Sequence, residues 1–120
     1  MQLDTFVEQY LITALWSTND ESDERGGEPL DKNYDLSDIA EETINKAIED
    51  CKRFREENAE DLSIGEETHA AHDFWLTRNG HGAGFWDGDW PEPQASRLTA
   101  ACKAFGEVDL YVGDDGKIYS

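Results

Sequence analysis

Negative charge is the feature that most restricts how this chain can fold and what it can bind. The chain carries 28 acidic and 10 basic residues, a net formal charge of −18 at neutral pH, which is more than solubility requires. The excess is uneven, because residues 1–67 hold 20 acidic and 6 basic side chains and residues 68–120 hold 8 and 4. Such a field repels phosphate, so binding to nucleic acid or to an anionic membrane is disfavoured and a basic protein partner is favoured.

The apolar residues suffice for one hydrophobic core. They make up 38% of the 120 residues and include four Trp and five Phe, which excludes a fully disordered chain. We expect a single domain over 1–120. Cys51 and Cys102 lack CxxC spacing and lie at apolar positions of helical patterns, so we expect buried thiols. With neither a leader-like opening nor a run of ~18 apolar residues, we expect a cytoplasmic protein.

The first half of the chain has the apolar periodicity of helices. A stripe of apolar residues predicts a first helix over 5–16, and a longer stripe predicts a second over about 38–60. Between them, residues 17–33 are acidic and contain paired glycines and a proline, so we expect a mobile loop. A shorter helix is expected over 66–72.

The second half has patterns typical of β-hairpins on either side of a helix. FWLTR (74–78) and AGFW (83–86), joined through an Asn-Gly turn, predict a first hairpin. An apolar stripe predicts a helix over 94–105, and the alternation of residues 108–119 around GDDG predicts a second hairpin. The sequence therefore predicts an α+β fold, with helices in the N-terminal half and two β-hairpins packed on them.

The uncompensated carboxylates of the N-terminal half are the candidate partner-binding residues. Carboxylates three or four residues apart on a helix lie ~5–6 Å from one another, close to the repeat of phosphates along a nucleic-acid strand. Such a surface can occupy a basic nucleic-acid groove, although an acidic face that only confers solubility fits the composition equally well. Pairs such as Glu49 with Arg53 are expected to neutralise part of the second helix. The candidates are Asp20, Glu21, Asp23, Glu24, Glu41, Glu49, Asp50, Glu56, Glu57, Glu60 and Asp61.

Three histidines offer an alternative, a metal-binding module or metal enzyme. His69, His72 and His81 lie within 13 residues, with Asp73 beside them, and these residue types ligate divalent metals. Structural or surface histidines are the simpler interpretation, because the spacing works only if a helix persists to residue 72. We therefore expect no metal and no cofactor. The chain has no nucleophile elbow or catalytic Cys–His spacing, so no catalytic residue is assigned and an enzyme is not expected.

A further alternative is an interaction module that binds through exposed aromatic rings. Phe85, Trp86 and Trp90 lie next to glycine and proline, in a segment too loop-like to bury all three. Aromatic residues dominate binding hot spots, so this segment could bind a partner or a second copy of the chain.

Several stretches resemble a family of small uncharacterised acidic proteins encoded by tailed bacteriophages. HDFWLTRNGHGAGFWD (72–87) and GEVDLYVGDDGKIYS (106–120) carry the resemblance, and FVEQYLITALWST and EPLDKNYDLSDI extend it over most of the chain. The resemblance brings no catalytic residues and implies a phage product in the bacterial cytoplasm. There, a small acidic protein is expected to inhibit a basic host protein of defence (restriction or CRISPR) or of DNA handling, by mimicking the charge of nucleic acid.

Overall fold

Five α-helices and two short strand pairs form the part of the chain that the structure describes. This computed structural model describes residues 3–20, 28–80, 84–86 and 90–120. The helices are α1 (Thr5–Ser17), α2 (Glu41–Glu57), α3 (Ala59–Leu62), α4 (Glu67–Arg78) and α5 (Gln94–Phe105). The antiparallel pairs are β1 (Asn19–Asp20) with β2 (Glu28–Pro29), and β3 (Tyr111–Val112) with β4 (Ile118–Tyr119). Short 3₁₀ turns at Leu30–Lys32 and Leu36–Asp38 connect β2 to α2.

The predicted α+β fold with two packed hairpins is wrong, since the protein is mostly helical. The FWLTR segment, taken for a strand, is the last part of α4, and the Asn-Gly pair ends that helix. Gly80 has a φ of +69°, the left-handed conformation that glycine adopts after a helix. Periodicity cannot separate a short apolar strand from a buried helix, and all six residues of 73–78 are buried. The second hairpin is reduced to the two-residue strands β3 and β4.

The remaining helices follow the sequence more closely. The helices predicted over 5–16 and 94–105 are confirmed as α1 and α5. The second helix is shorter than predicted, because Leu36–Asp38 forms a separate turn and α2 ends at Glu57, with Asn58 as its C-cap. The segment predicted as a mobile loop starts in α1 and includes β1, β2 and the first 3₁₀ turn, in which Leu30 is buried in the core. Residues 21–27 lie outside the described residues.

Helix α4 runs through the centre of the core. Its Phe74 ring stacks on Phe54 of α2, with ring centroids 4.0 Å and planes 4° apart. Its Trp75 ring, which is buried, meets Tyr10 of α1 edge-on at 5.3 Å and donates its Nε1–H to Ser17 Oγ at 2.7 Å. Phe74 and Trp75, which are adjacent in α4, therefore position α2 and α1 respectively.

Arg78, the last residue of α4, is only 4% exposed and connects several segments. Its Nη1 donates to the Asp50 carboxylate and to the Tyr10 hydroxyl, both at 3.0 Å. Its Nε and Nη2 donate to the carbonyl oxygens of Gly106 and Phe105 at 2.8 and 3.1 Å. A buried guanidinium is tolerated only when its donors are satisfied, so this set of bonds fixes α1, α2, α4 and the end of α5 together.

The cysteines are free and buried, as predicted. Burial raises the pKa of the Cys51 and Cys102 thiols well above the ordinary value. Both side chains are therefore protonated and unreactive at neutral pH, and they contribute to the core as small apolar groups.

Replacement of Trp75 tests the central position of α4. We expect Trp75→Ala to lower the free energy of unfolding by about 3–5 kcal/mol, because it leaves a cavity beside Tyr10. Urea unfolding followed by circular dichroism measures the loss. Trp86→Ala removes the same ring from a position that is 54% exposed, and it should cost less than about 1 kcal/mol. Equal losses in the two variants would contradict this packing.

Candidate partner-binding site

The predicted partner-binding residues do not form one surface. Glu21, Asp23, Glu24 and the side chain of Asp20 lie outside the described residues. Glu41 lies in the first turn of α2, whereas Glu49, Glu56, Glu57, Glu60 and Asp61 are distributed along the rest of α2 and α3. Glu41 and Glu56 alone are separated by roughly 22 Å along the helix axis, at ~1.5 Å per residue.

Asp50 is not available to a partner, because it is 4% exposed and belongs to the core. Its carboxylate accepts a hydrogen bond from Arg78 at 3.0 Å and lies 3.1 Å from the Lys46 ammonium. Prediction of Asp50 as a contact residue was wrong, since the side chain projects inward to balance a buried cation. Its position three residues after buried Ala47 and four before buried Phe54 was a signal that it shares the apolar stripe of α2.

Two further candidates are neutralised by neighbours. Glu57 lies 3.7 Å from Arg53 and forms an ion pair with it. The spacing had predicted that Arg53 would pair with Glu49 instead. Asp61 accepts two hydrogen bonds from Arg97 of α5, at 2.7 and 3.0 Å, and these bonds lower the pKa of its carboxyl. Over residues 43–57 the chain holds four acidic and four basic side chains, a net charge of zero. Beyond its first turn, α2 is therefore not an acidic surface.

One concentration of net negative charge among the described residues lies where two distant segments meet; another is residues 56–67, where three of the six acidic side chains pair with arginines. The Ala40 amide donates to the carbonyl oxygen of Ile118 at 2.9 Å, and Ile39 forms an isolated parallel bridge with the same residue. We define the acidic end as residues 31–42 and 108–120, which this contact brings together. It holds eight acidic and two basic residues, a net charge of −6. Of the predicted site residues, the acidic end includes Glu41 alone.

A groove with a volume of about 930 Å³ crosses the acidic end between the start of α2 and the strands β3 and β4. Glu42 borders it on the helix side. On the strand side, the Tyr111 and Tyr119 rings stack with centroids 6.0 Å apart, and Tyr111 is 56% exposed. Asp115 accepts hydrogen bonds from the Tyr119 hydroxyl at 2.7 Å and from the Lys117 amide at 3.0 Å. These bonds lower the pKa of Asp115, so the groove keeps its negative charge at neutral pH.

The histidines form a hydrogen-bonded cluster around a buried carboxylate. Asp73 accepts a bond from Trp90 Nε1 at 2.8 Å, and its oxygens lie 3.1 Å from His72 Nδ1 and 3.2 Å from His69 Nε2. His81 lies outside the described residues. Across residues 3–20, 28–80, 84–86 and 90–120, no group of three His, Cys, Asp or Glu side chains has the geometry to hold a metal ion. The cluster anchors the Trp90 segment to α4 through the hydrogen bond to Asp73.

The aromatic segment is mostly buried. Phe85 and Trp90 lie in the core with ring centroids 5.1 Å apart, and the Phe85 amide donates to Thr77 Oγ1 at 3.1 Å. Of the three rings proposed as a binding surface, Trp86 alone is exposed. Tyr111, which sequence reasoning treated as part of a structural hairpin, is as exposed as Trp86 and lies among carboxylates.

Comparisons with known proteins gave no match to a family model, to a curated protein or to a solved structure. Within the described residues, no helix is long and apolar enough to cross a membrane. The chemistry of the surface is therefore the basis on which a function can be proposed.

Replacement of Asp50 separates its structural role from a role in binding. We expect Asp50→Ala to lower the free energy of unfolding by about 3–5 kcal/mol, because it leaves the Arg78 guanidinium buried without its counter-ion. Glu49→Ala, at the exposed neighbouring position, should change stability by less than about 0.5 kcal/mol. Thermal and urea unfolding measure both. An Asp50→Ala protein as stable as Glu49→Ala would show that the ion pair does not hold the core.

The hydrogen bond between Tyr119 and Asp115 can be tested by titration. We expect Tyr119→Phe to raise the pKa of Asp115 toward its ordinary value, because the carboxylate loses the hydrogen bond that the Tyr119 hydroxyl donates. Carbon-13 NMR of the side-chain carboxyl as a function of pH measures the change. Tyr34→Phe, whose hydroxyl makes no hydrogen bond to another described residue, is the control and should leave Asp115 unchanged. An unaltered midpoint in Tyr119→Phe would refute this geometry of the groove.

Proposed function

We propose that this protein is a non-enzymatic binding protein that occupies a basic nucleic-acid-binding surface of a host protein by mimicking the charge of nucleic acid. The observation that carries the proposal is the unpaired charge of the acidic end, where none of the eight acidic side chains forms an ion pair with a described residue, whereas three of the six acidic side chains of residues 56–67 do. The acidic end has a net charge of −6 over 25 residues, whereas residues 43–57 have a net charge of zero. A concentrated field of one sign steers a partner of the opposite sign and sets its orientation.

The carboxylates of the acidic end are held by short, well-defined elements. Asp35 and Asp38 form a reciprocal capping box on the 3₁₀ turn, and the Asp35 carboxylate accepts hydrogen bonds from Ser37 that lower its pKa. Glu41 and Glu42 follow in the first turn of α2, where the helix dipole stabilises negative charge. Because the Asp35 and Asp38 side chains are ordered before binding, they would lose little conformational freedom when a partner binds.

The resemblance to small acidic phage proteins supplies the setting of the proposal. A phage product in the bacterial cytoplasm meets host restriction, CRISPR and DNA-handling proteins, all of which grip phosphate through clusters of Lys and Arg. An acidic end presented to such a cluster competes with nucleic acid for it. This mode of inhibition requires no catalytic residue and no cofactor.

Charge-neutral variants test whether the acidic end is the contact surface. The immobilised protein is incubated at about 50 mM salt with bacterial proteins eluted from a DNA column, since exposed charge pairs are strongest at low ionic strength. The acidic-end variant carries Asp31→Asn, Glu41→Gln, Glu42→Gln and Asp114→Asn. The matched control carries Glu49→Gln, Glu56→Gln, Glu60→Gln and Glu66→Gln, which changes the net charge by the same amount elsewhere.

We expect the acidic-end variant to capture at least about tenfold less basic protein than the wild type, and the control variant to capture nearly as much. Capture should also fall on addition of double-stranded DNA, because both ligands use the same basic surface. The proposal is wrong if the two variants capture equally, or if excess DNA fails to displace the captured protein.

A further inference from the structure

We propose that the outer face of α1 is a dimerisation surface, which a second copy of this chain covers. The inference goes beyond the proposed function, because a monomer would present the same acidic end to a basic protein. The evidence consists of the apolar character of α1, two exposed apolar side chains on its outer face and the near absence of charge there.

Helix α1 lacks the charged outer face that an ordinary surface helix has. Its 13 residues include one charged side chain, Glu8, whereas the 17 residues of α2 include ten. Seven residues of α1 are buried in the core, and its opposite side carries Ile12 and Trp16, which are 38% and 40% exposed. A helix that is apolar all round is normally covered all round. The outer face of α1 is therefore a surface on which a further apolar surface fits.

Ile12 and Trp16 form one apolar patch, because residues four apart are neighbours on a helix surface. Of the five large apolar side chains that are exposed among the described residues, these two are the only pair on one helix. The Trp16 ring is also held in place. It stacks on His72 of α4 with ring centroids 5.7 Å and planes 30° apart, and His72 Nδ1 lies 3.1 Å from the buried Asp73 carboxylate. An exposed aromatic ring that is already fixed loses little conformational freedom on binding, as is typical of interface hot spots.

The charge of the chain indicates that a second copy covers this patch. Because each copy has a net charge of −18, two copies repel each other over most of their surfaces. The repulsion is smallest at the outer face of α1, since Glu8 is the one charged residue of residues 5–19. A basic partner would find a single carboxylate there and eight at the acidic end. A two-fold contact brings the same apolar patch from both copies together, so the patch is complementary to itself.

The size of this face predicts a weak dimer. Helix α1 has 13 residues and is about 20 Å long, at ~1.5 Å per residue. One helix face of that length buries less than the roughly 1,200 Å² at which stable interfaces begin. Salt screens the repulsion between the two copies. We therefore expect a reversible dimer that forms at high ionic strength and dissociates at low ionic strength, the reverse of the salt dependence of capture by the acidic end.

Sedimentation velocity of the full chain, from about 10 to 500 μM and at about 20 and 300 mM salt, tests the inference. We expect the dimer to be at least about fivefold tighter at the higher salt. Ile12→Glu should weaken it at least about tenfold, because the variant places a carboxylate in the apolar contact. The matched control is Ile64→Glu, which adds the same charge at another exposed isoleucine and should leave the dimer within about twofold of the wild type. Circular dichroism verifies that both variants are folded.

Dilution of the wild type, followed by NMR, locates the contact without a substitution. We expect the Trp16 indole N–H and the backbone amides of Glu8 and Ile12 to shift between the dimer and the monomer. If Ile12→Glu does not fold, these shifts decide the question.

Three outcomes would overturn the inference. The first is a chain that stays monomeric at about 500 μM and 300 mM salt. The second is equal weakening of the dimer by Ile12→Glu and Ile64→Glu, and the third is a set of dilution shifts that lies outside α1 and its neighbour His72. Capture of basic proteins is measured at low salt, where the chain is monomeric, so the failure of this inference is distinguishable from the failure of the proposed function.

Discussion

A buried guanidinium determines how this protein is assembled. Desolvation of the Arg78 charge costs several kcal/mol, and only an arrangement that supplies acceptors from α1, α2 and the end of α5 at once can offset it. Burial keeps the Tyr10 hydroxyl neutral by raising its pKa, so Asp50 is the one charge that faces Arg78 within the described residues. Displacement of α2 would therefore leave an unpaired charge in the core. This constraint explains why a charged pair lies inside so acidic a protein.

The same interactions determine where the surface charge collects. Arg78 holds the carbonyls of Phe105 and Gly106, and Asn79 Oδ1 accepts a hydrogen bond from the Val108 amide at 2.7 Å. These bonds attach the segment that follows α5 to the end of α4, and that segment goes on to the start of α2, where Ile118 is buried and pairs with Ala40. Two stretches of carboxylates that are remote in sequence then share one end of the molecule. Like charges accumulate there because the buried contacts beneath them compensate for the repulsion.

The sequence was informative about local periodicity and uninformative about long-range contacts. The stripes of α1 and α5 and the burial of both cysteines could be predicted, because a helix that covers a core has a regular apolar spacing. Helix α4 could not, since its second half, residues 73–78, is buried on all sides and its FWL run has the composition of a strand. The acid excess was evident from composition, but its location was not. Basic side chains balance the acidic ones over residues 43–57 of α2, and the Ala40–Ile118 contact that creates the acidic end joins residues almost eighty positions apart.

The central claim is that the acidic end contacts a basic nucleic-acid-binding surface, and zero-length carbodiimide cross-linking tests it most directly. The reagent joins a carboxylate to a lysine amine in contact, so mass spectrometry of a treated bacterial lysate reports both the partner and the position. The account predicts cross-links from Asp31, Glu41, Glu42 or Asp114 to lysines in the DNA- or RNA-binding groove of the partner. Cross-links that come from Glu56, Glu60 and Glu66 instead, or that lead to proteins without a nucleic-acid-binding surface, would contradict it.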